Sequence, residues 1–346
     1  MLPTQRVQAA IAFKPPDVIP LRILPARGGL YEHGAKLVEL HARCGHDFGD
    51  LSGLQMPQPP TPEEFDPDGS YHAFVTDAWG IVWEYRIFGV WGHPVERPLD
   101  DLGLLDAYTP PAVPPCSGPD VEQAAAAVRT QRRRWFVLGG AGSIFETLHS
   151  LRRFEDVLME IATDTPEINR IADMLTQNAL GHVKRSVAMD VDGVAFGDDY
   201  GTQDALLLGP KAWRRFFKPR YEALFDPVKR AGKRIFFHCC GYIDPLLDDF
   251  AELGVDVVWP QLTAFDLEHL ARRCRQLGMA IELHPDRGDL MQRGTPEQVR
   301  AYVLRMLDTF DTYGGGSWLY IEIDPGFPYA NVEALFNTAM ELRGEL

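Results

Sequence analysis

Lys233–Pro260 reads KRIFFHCCGYIDPLLDDFAELGVDVVWP, and its punctuation decides the fold. An apolar run of strand character, Ile235-Phe236-Phe237, ends in His238-Cys239-Cys240-Gly241. Ile243 to Gly254 then reads as a helix, with Gly254 as its stop signal. Val255 to Trp259 is a second apolar, β-branched run. Two strands joined by a helix in this way form a parallel pair.

The same rhythm extends outward from Asp120 to the C-terminus. Helices are expected at Val121–Arg132, Phe154–Thr163, Pro166–Met189, Pro210–Ala231 and from Val332 to Leu342. Strands are expected at RWFVLGGAG (134–142), DGVAFGDD (192–199), MAIELH (279–284) and SWLYIEI (317–323). The runs are short and apolar, as in strands covered on both faces. About eight βα units over this length predict an α/β fold of the (β/α)8 TIM-barrel type rather than an open doubly wound sheet. No Gly-x-Gly-x-x-Gly follows the first strand, which argues against dinucleotide binding. Ahead of this region, Thr4–Phe13 reads as a short amphipathic helix forming an N-terminal extension. Residues 50–115 are rich in Pro, Trp and Tyr and poor in regular period. Within them VWEYRIF (82–88) alternates, which predicts a β-hairpin-like insertion. Residues 1–346 are read as one domain.

The chain has 346 residues, 45% hydrophobic, enough for a large core, and a formal net charge of −15. That sign repels phosphate backbones and argues against nucleic-acid binding. The N-terminus lacks a signal-peptide layout, and no apolar run reaches the roughly 18 residues that span a bilayer. The five cysteines, at 44, 116, 239, 240 and 274, are odd in number and irregular in spacing. Reduced thiols and a cytoplasmic location are therefore expected.

In a barrel of this type, chemistry sits at the C-terminal strand ends. Collecting the residues there gives Gly139–Gly142, Asp198, Asp199, His238, Cys240, Gln261, Glu282, His284, Arg287, Glu322 and Asp324. His238 and Cys240 are two apart on a strand, so their side chains share a face, while Cys239 points to the other. One imidazole and one thiolate suit zinc. Two ligands do not make a site, and Glu322, Asp324 and Glu282 are candidates for a third. A cysteine nucleophile and plain packing remain open at this point. Each other residue has a plainer reading too: Asp198 or Asp199 as helix caps, the glycine cluster as close-packed backbone, and His284 as a satisfied loop residue.

Several stretches resemble the uroporphyrinogen decarboxylase superfamily, which includes decarboxylases and zinc-dependent, corrinoid-linked methyltransferases. They are TQRVQAAIAFKPPDVIPL (4–21), the block from Gly197 to Gly241, LGVDVVWPQ (253–261), GTPEQVRAYV (294–303) and NVEAL (331–335). The resemblance implies a (β/α)8 barrel. In the decarboxylases an Arg-Gln-Ala-Gly-Arg-like run after the first strand holds substrate carboxylates. Here that place reads Pro25-Ala26-Arg27-Gly28-Gly29, with Arg27 alone nearby. Asp77, in FVTDAWG (74–80), resembles the decarboxylase aspartate that steadies the pyrrole nitrogens.

The methyltransferases bind zinc through His-x-Cys-Gly and a later cysteine. His238 and Cys240 match the first pair, and Glu322 stands at about the position of the absent cysteine. A carboxylate there leaves the metal more Lewis acidic, which suits an oxygen-bearing substrate such as a methyl ether. The resemblance thus implies a methyltransferase with Zn2+ on His238, Cys240 and Glu322 and with Asp199 or Asp198 in catalytic roles, Asp77 being the catalytic carboxylate of the decarboxylase alternative. Tyr31, Trp79, Gln261 and His284 would serve the substrate, with Trp83 and Trp259 extending an aromatic wall, and Arg27 and Arg287 would serve it in the decarboxylase alternative. No Asp-x-His-x-x-Gly run occurs, so the cobamide would be carried by a separate corrinoid partner protein. The alternatives are a metal-free porphyrinogen decarboxylase and a non-catalytic binding protein on an enzyme scaffold.

Overall fold

The computed structural model describes residues 1–346. Seven strands form one parallel sheet: β1 (Leu21–Leu24), β5 (Leu138–Gly140), β6 (Gly193–Gly197), β7 (Arg234–Cys239), β8 (Val257–Pro260), β9 (Ala280–Leu283) and β10 (Ser317–Glu322). Their spatial order is β1-β10-β9-β8-β7-β6-β5. From β5 to β10 each strand neighbours the next in sequence, as right-handed helical crossovers produce. The sheet is compatible with a TIM-type barrel. Its two edges are linked through Asp47–Gly49. The Asp47 amide donates to the Leu21 carbonyl (2.8 Å), and the Phe136 amide donates to the Asp47 carbonyl (2.9 Å). The expected eighth strand is not formed; Phe48 makes only an isolated parallel bridge to Phe136. The Asp47 carboxylate is fully buried and accepts from Arg6, Arg343 and the Leu21 amide.

Strand parity sorts the core into two. On the inner face Phe48, Phe136, Phe236, Val257, Ala280 and Trp318 form a small cluster closed by Val7, Ala10 and Ile11 of α1 (Pro3–Ile11). On the outer face Ile235, Phe237, Cys239, Val258, Ile281, Leu283, Leu319 and Ile321 join the large core under the helices. The polar inner-face residues of the same strands lie above this cluster, from Arg22 and Glu282 within the sheet to Glu322 at its C-terminal end.

Two helices, α2 (Arg27–His33) and α3 (Ala35–Arg43), follow β1, and α4 (Pro119–Gln131) and α5 (Phe145–Leu151) flank β5. The insertion holds a three-stranded antiparallel sheet of β2 (Ala73–Thr76), β3 (Val82–Tyr85) and β4 (His93–Glu96), one strand more than a hairpin. The helix expected over 210–231 is two, Pro210–Phe216 and Lys218–Arg230. Pro219 offers no amide to the preceding turn and disfavours helical geometry in the residue before it. No helix is long and apolar enough to cross a membrane.

Candidate metal centre

Gly197 pairs with His238 across β6 and β7, so the register places Asp199 beside Cys240. Parity sends Asp199, His238 and Cys240 to the inner face and Asp198 and Cys239 outward. Four bonds lock the strand ends together. The Asp198 amide donates to the His238 carbonyl (3.2 Å) and the Gly201 amide to the Cys240 carbonyl (3.3 Å). The Cys240 amide donates to Asp199 Oδ1 (2.6 Å) and the Tyr200 amide to Cys239 Sγ (3.3 Å). This approach requires glycine: Gly241 has φ +79°, and a Cβ there would lie 2.2 Å from the Gly201 carbonyl carbon.

Asp199, His238 and Cys240 form a cluster whose ligating atoms all lie within 4.8 Å of one another. His238 Nε2 is 3.3 Å from Cys240 Sγ and 3.6 Å from Asp199 Oδ1. His238 Nδ1 lies 2.9 Å from the Trp259 carbonyl, which can only accept. Nδ1 therefore carries the proton and Nε2 presents its lone pair to the cluster, the tautomer a metal-binding imidazole needs. Burial pushes the His238 pKa below its ordinary value, keeping the ring neutral. Burial, and then the Asp199 charge, push the Cys240 thiol up to about 12. A thiol so placed is a poor free nucleophile. An oxygen, a nitrogen and a sulfur converging without an adjacent free cation fit a borderline-soft divalent ion such as zinc.

Glu322 lies outside this cluster. Its carboxylate accepts from Arg287 (2.8 Å) and the Tyr320 hydroxyl (2.9 Å). Arg287 also grips Asp324 through two bonds, of 2.7 and 2.6 Å. Glu282 is paired with Arg22 (2.8 and 2.9 Å) and accepts from the Trp318 indole (2.9 Å). All three carboxylates proposed from spacing as a third ligand are thus engaged by arginine.

Asp198 is 2% exposed and caps α5 from below, accepting from the Ile144 (3.0 Å) and Glu146 (2.8 Å) amides and from Tyr221. Tyr221 bonds in turn to Tyr200 (2.6 Å). Burial raises the Asp198 pKa to about 7. Asp77 belongs to the turn between β2 and β3. Its carboxylate accepts from the Trp79 and Ile81 amides (2.8 and 3.0 Å) and the Trp83 indole (2.8 Å). Trp79 and Trp83 therefore belong to the insertion, where the Trp79 carbonyl accepts from Tyr108. Arg27 and Tyr31 of α2 both pack on Phe88. Gln261 accepts from the Gly241 amide (3.1 Å), steadying the turn after Cys240. His284 sets its two nitrogens against the Pro285 and Pro260 carbonyls. Trp259 does reach the centre, its ring 4.1 Å from His238 and 4.4 Å from Tyr320. The glycine cluster is partly close-packed backbone, since a Cβ on Gly139 would meet Ser186 at 2.5 Å.

Three residues of the centre are missing from the sequence reading. Glu146 accepts the Asp199 amide (3.2 Å) and faces His149 (3.2 Å). Arg22 and Tyr320 lie inside the sheet below Glu322, their Cα atoms paired across β1 and β10. Parity on either strand would have found these two; Glu146 sits on a helix and gives no such signal. A concavity of about 860 Å³ opens at the opposite end, lined by Arg6, His41, Cys44, Trp135 and Arg343 among others. It holds none of the clustered donors, and strand-end chemistry outweighs its size.

Parallel strands whose carboxyl ends gather polar donors are the layout of an α/β enzyme. Residues 92–342 match the family described as Uroporphyrinogen decarboxylase (URO-D), and the chain belongs to that family. No curated protein matches it. Among solved structures, a methyltransferase from Methanosarcina mazei aligns over 99% of each chain, with a TM-score of 0.64 and 16% identity. That is a likeness of fold. Dihydropteroate synthase from Xanthomonas albilineans aligns over 46% of this chain and 58% of its own, with a TM-score of 0.33 and 15% identity, too low to carry weight.

Proposed function

We propose that the protein is a zinc-dependent methyltransferase that moves a methyl group between a small methylated compound and the cobamide of a separate corrinoid protein. The observation that carries this reading is the convergence of Asp199, His238 and Cys240 at the strand ends. Family membership and the fold shared with a methyltransferase support it. The reading treats the sheet as a closed (β/α)8 barrel with Asp47–Gly49 in the eighth strand position.

His238, Cys240 and Asp199 would hold the ion, with Asp199 in the role that the family resemblance gives to Glu322. Bound there, zinc would supply Lewis acidity toward the heteroatom bearing the methyl group. The protein's own part is preorganisation. The Trp259 carbonyl fixes the His238 tautomer, and the Cys240 amide and Glu146 hold Asp199 from two sides. The Trp259 ring, packed between His238 and Tyr320, gives the centre one apolar wall. The decarboxylase alternative is weaker because the oxygens of Asp77 are already engaged within its own turn.

The test is metal analysis of the purified wild type and of Asp199→Ala, His238→Ala, Cys240→Ala and Glu322→Gln. Near-stoichiometric zinc is expected in the wild type and Glu322→Gln, and its loss in the other three. Full zinc in both His238→Ala and Cys240→Ala would overturn the reading. Loss in Glu322→Gln with retention in Asp199→Ala would return the third donor to Glu322.

A further inference from the structure

We infer that the hydroxyl of Tyr221, on the helix Lys218–Arg230 outside the sheet, fixes Asp199 in the centre and makes Tyr221 a positioning residue for the metal. This rests on the Asp199–His238–Cys240 centre being a metal site and adds the group that holds its carboxylate donor in place. Asp199 turns toward the centre, while its two neighbours, Asp198 and Tyr200, are 2% and 1% exposed and turn under the helices. Both neighbours end on the same atom. The Tyr221 hydroxyl donates to Asp198 Oδ2 and lies 2.6 Å from the Tyr200 hydroxyl. A phenol has one proton and Asp198 takes it, so Tyr200 is the donor in the second bond. The chain on either side of Asp199 is thereby tied to one point of one helix.

That point is itself held against the strand that carries the other two donors. Tyr221 is 1% exposed, and its ring lies edge-on to Phe237 of β7, with centroids 5.2 Å apart. Asp198 passes the restraint on: its carboxylate takes the Ile144 and Glu146 amides, and Glu146 takes the Asp199 amide. Tyr200 passes it to β7 through its amide on Cys239 Sγ at 3.3 Å, one residue from Cys240. A carboxylate that only capped α5 would need no more than the two amides. The shared hydroxyl is what couples that cap to the residue on the far side of Asp199.

Tyr221→Phe keeps the ring and deletes the hydroxyl. Three readouts test it: zinc affinity by chelator competition, visible absorption of the cobalt-loaded protein, and urea unfolding of the metal-free protein. Zinc affinity should fall about tenfold, the lower end of the range for groups that orient a metal ligand, with altered cobalt bands. Phe225→Leu, fully buried one turn along the same helix, should lower stability and leave both metal readouts unchanged. Tyr200→Phe removes the neutral half of the clamp, weaker than the charge-assisted bond to Asp198, and should give a smaller loss of the same kind. Unchanged zinc affinity and cobalt bands in Tyr221→Phe, or in Tyr200→Phe should the first variant not fold, would overturn this inference alone. The same change in Phe225→Leu would assign the effect to packing and overturn it too. A wild type that binds no zinc would overturn the metal reading and this inference with it.

Discussion

Glu146→Ala probes how the third donor is held. Glu146 Oε1 accepts the Asp199 amide at 3.2 Å, while the Glu146 amide is itself fixed by Asp198 at 2.8 Å. Asp199 is therefore tethered through its backbone to α5 and through its carboxylate to the Cys240 amide. Removing the Glu146 carboxylate deletes a charge-assisted hydrogen bond worth about 1.5–3 kcal/mol. It leaves Asp199 with one anchor. Partners that orient a metal ligand change affinity by about 10–100-fold when lost, so zinc affinity should fall within that range. Glu146→Gln keeps an acceptor and should lose less. The assay is competition with a chromophoric chelator, read beside the thermal midpoint of the metal-free protein. Unchanged zinc affinity in Glu146→Ala would refute the reasoning. So would an affinity loss matched by an equal loss of metal-free stability, since that would mark a structural role only.

Gly241→Ala forces a left-handed residue, at about 1–2 kcal/mol, and drives a Cβ into the Gly201 backbone. Urea unfolding should show a loss above about 2 kcal/mol together with loss of bound zinc. Asp47→Ala removes the buried carboxylate that Arg6 and Arg343 share and leaves Arg6 with Asp17 and Arg343 with Glu345. The cost should stay below the roughly 3–5 kcal/mol of a buried charge left wholly unpaired, measurable as a lower urea midpoint, and no shift in that midpoint would count against the bridging role of Asp47–Gly49. His41, 3% exposed, is held neutral by burial, with its pKa depressed to about 4. Its unfolded form takes up a proton first, so its contribution is complete above about pH 6.5 and falls away as pH drops toward 4, by about 3 kcal/mol in all. Stability measured against pH should therefore slope less steeply in His41→Leu than in the wild type over that window.

The alternation of apolar runs and helices from Asp120 onward was enough to predict a parallel α/β sheet, because period and punctuation are local properties of a chain. Parity was enough to separate Cys240 from Cys239. Applied to Gly197-Asp198-Asp199, the same rule would have separated the two aspartates, one facing the centre and one capping α5. Which carboxylate joins His238 and Cys240 in the cluster was not legible. Glu322, Glu282 and Asp324 are chemically suitable, and spacing treats them alike. They are withdrawn by Arg287 and Arg22, which lie 35 to 260 positions from the carboxylates they engage. Likewise Asp77 reads as a free carboxylate until the turn of the insertion wraps two amides and an indole around it. Sequence determined which strand ends carry chemistry, because side-chain direction alternates along a strand. Only the tertiary structure decided which carboxylates stay available, because that depends on which cation the fold brings within hydrogen-bonding distance.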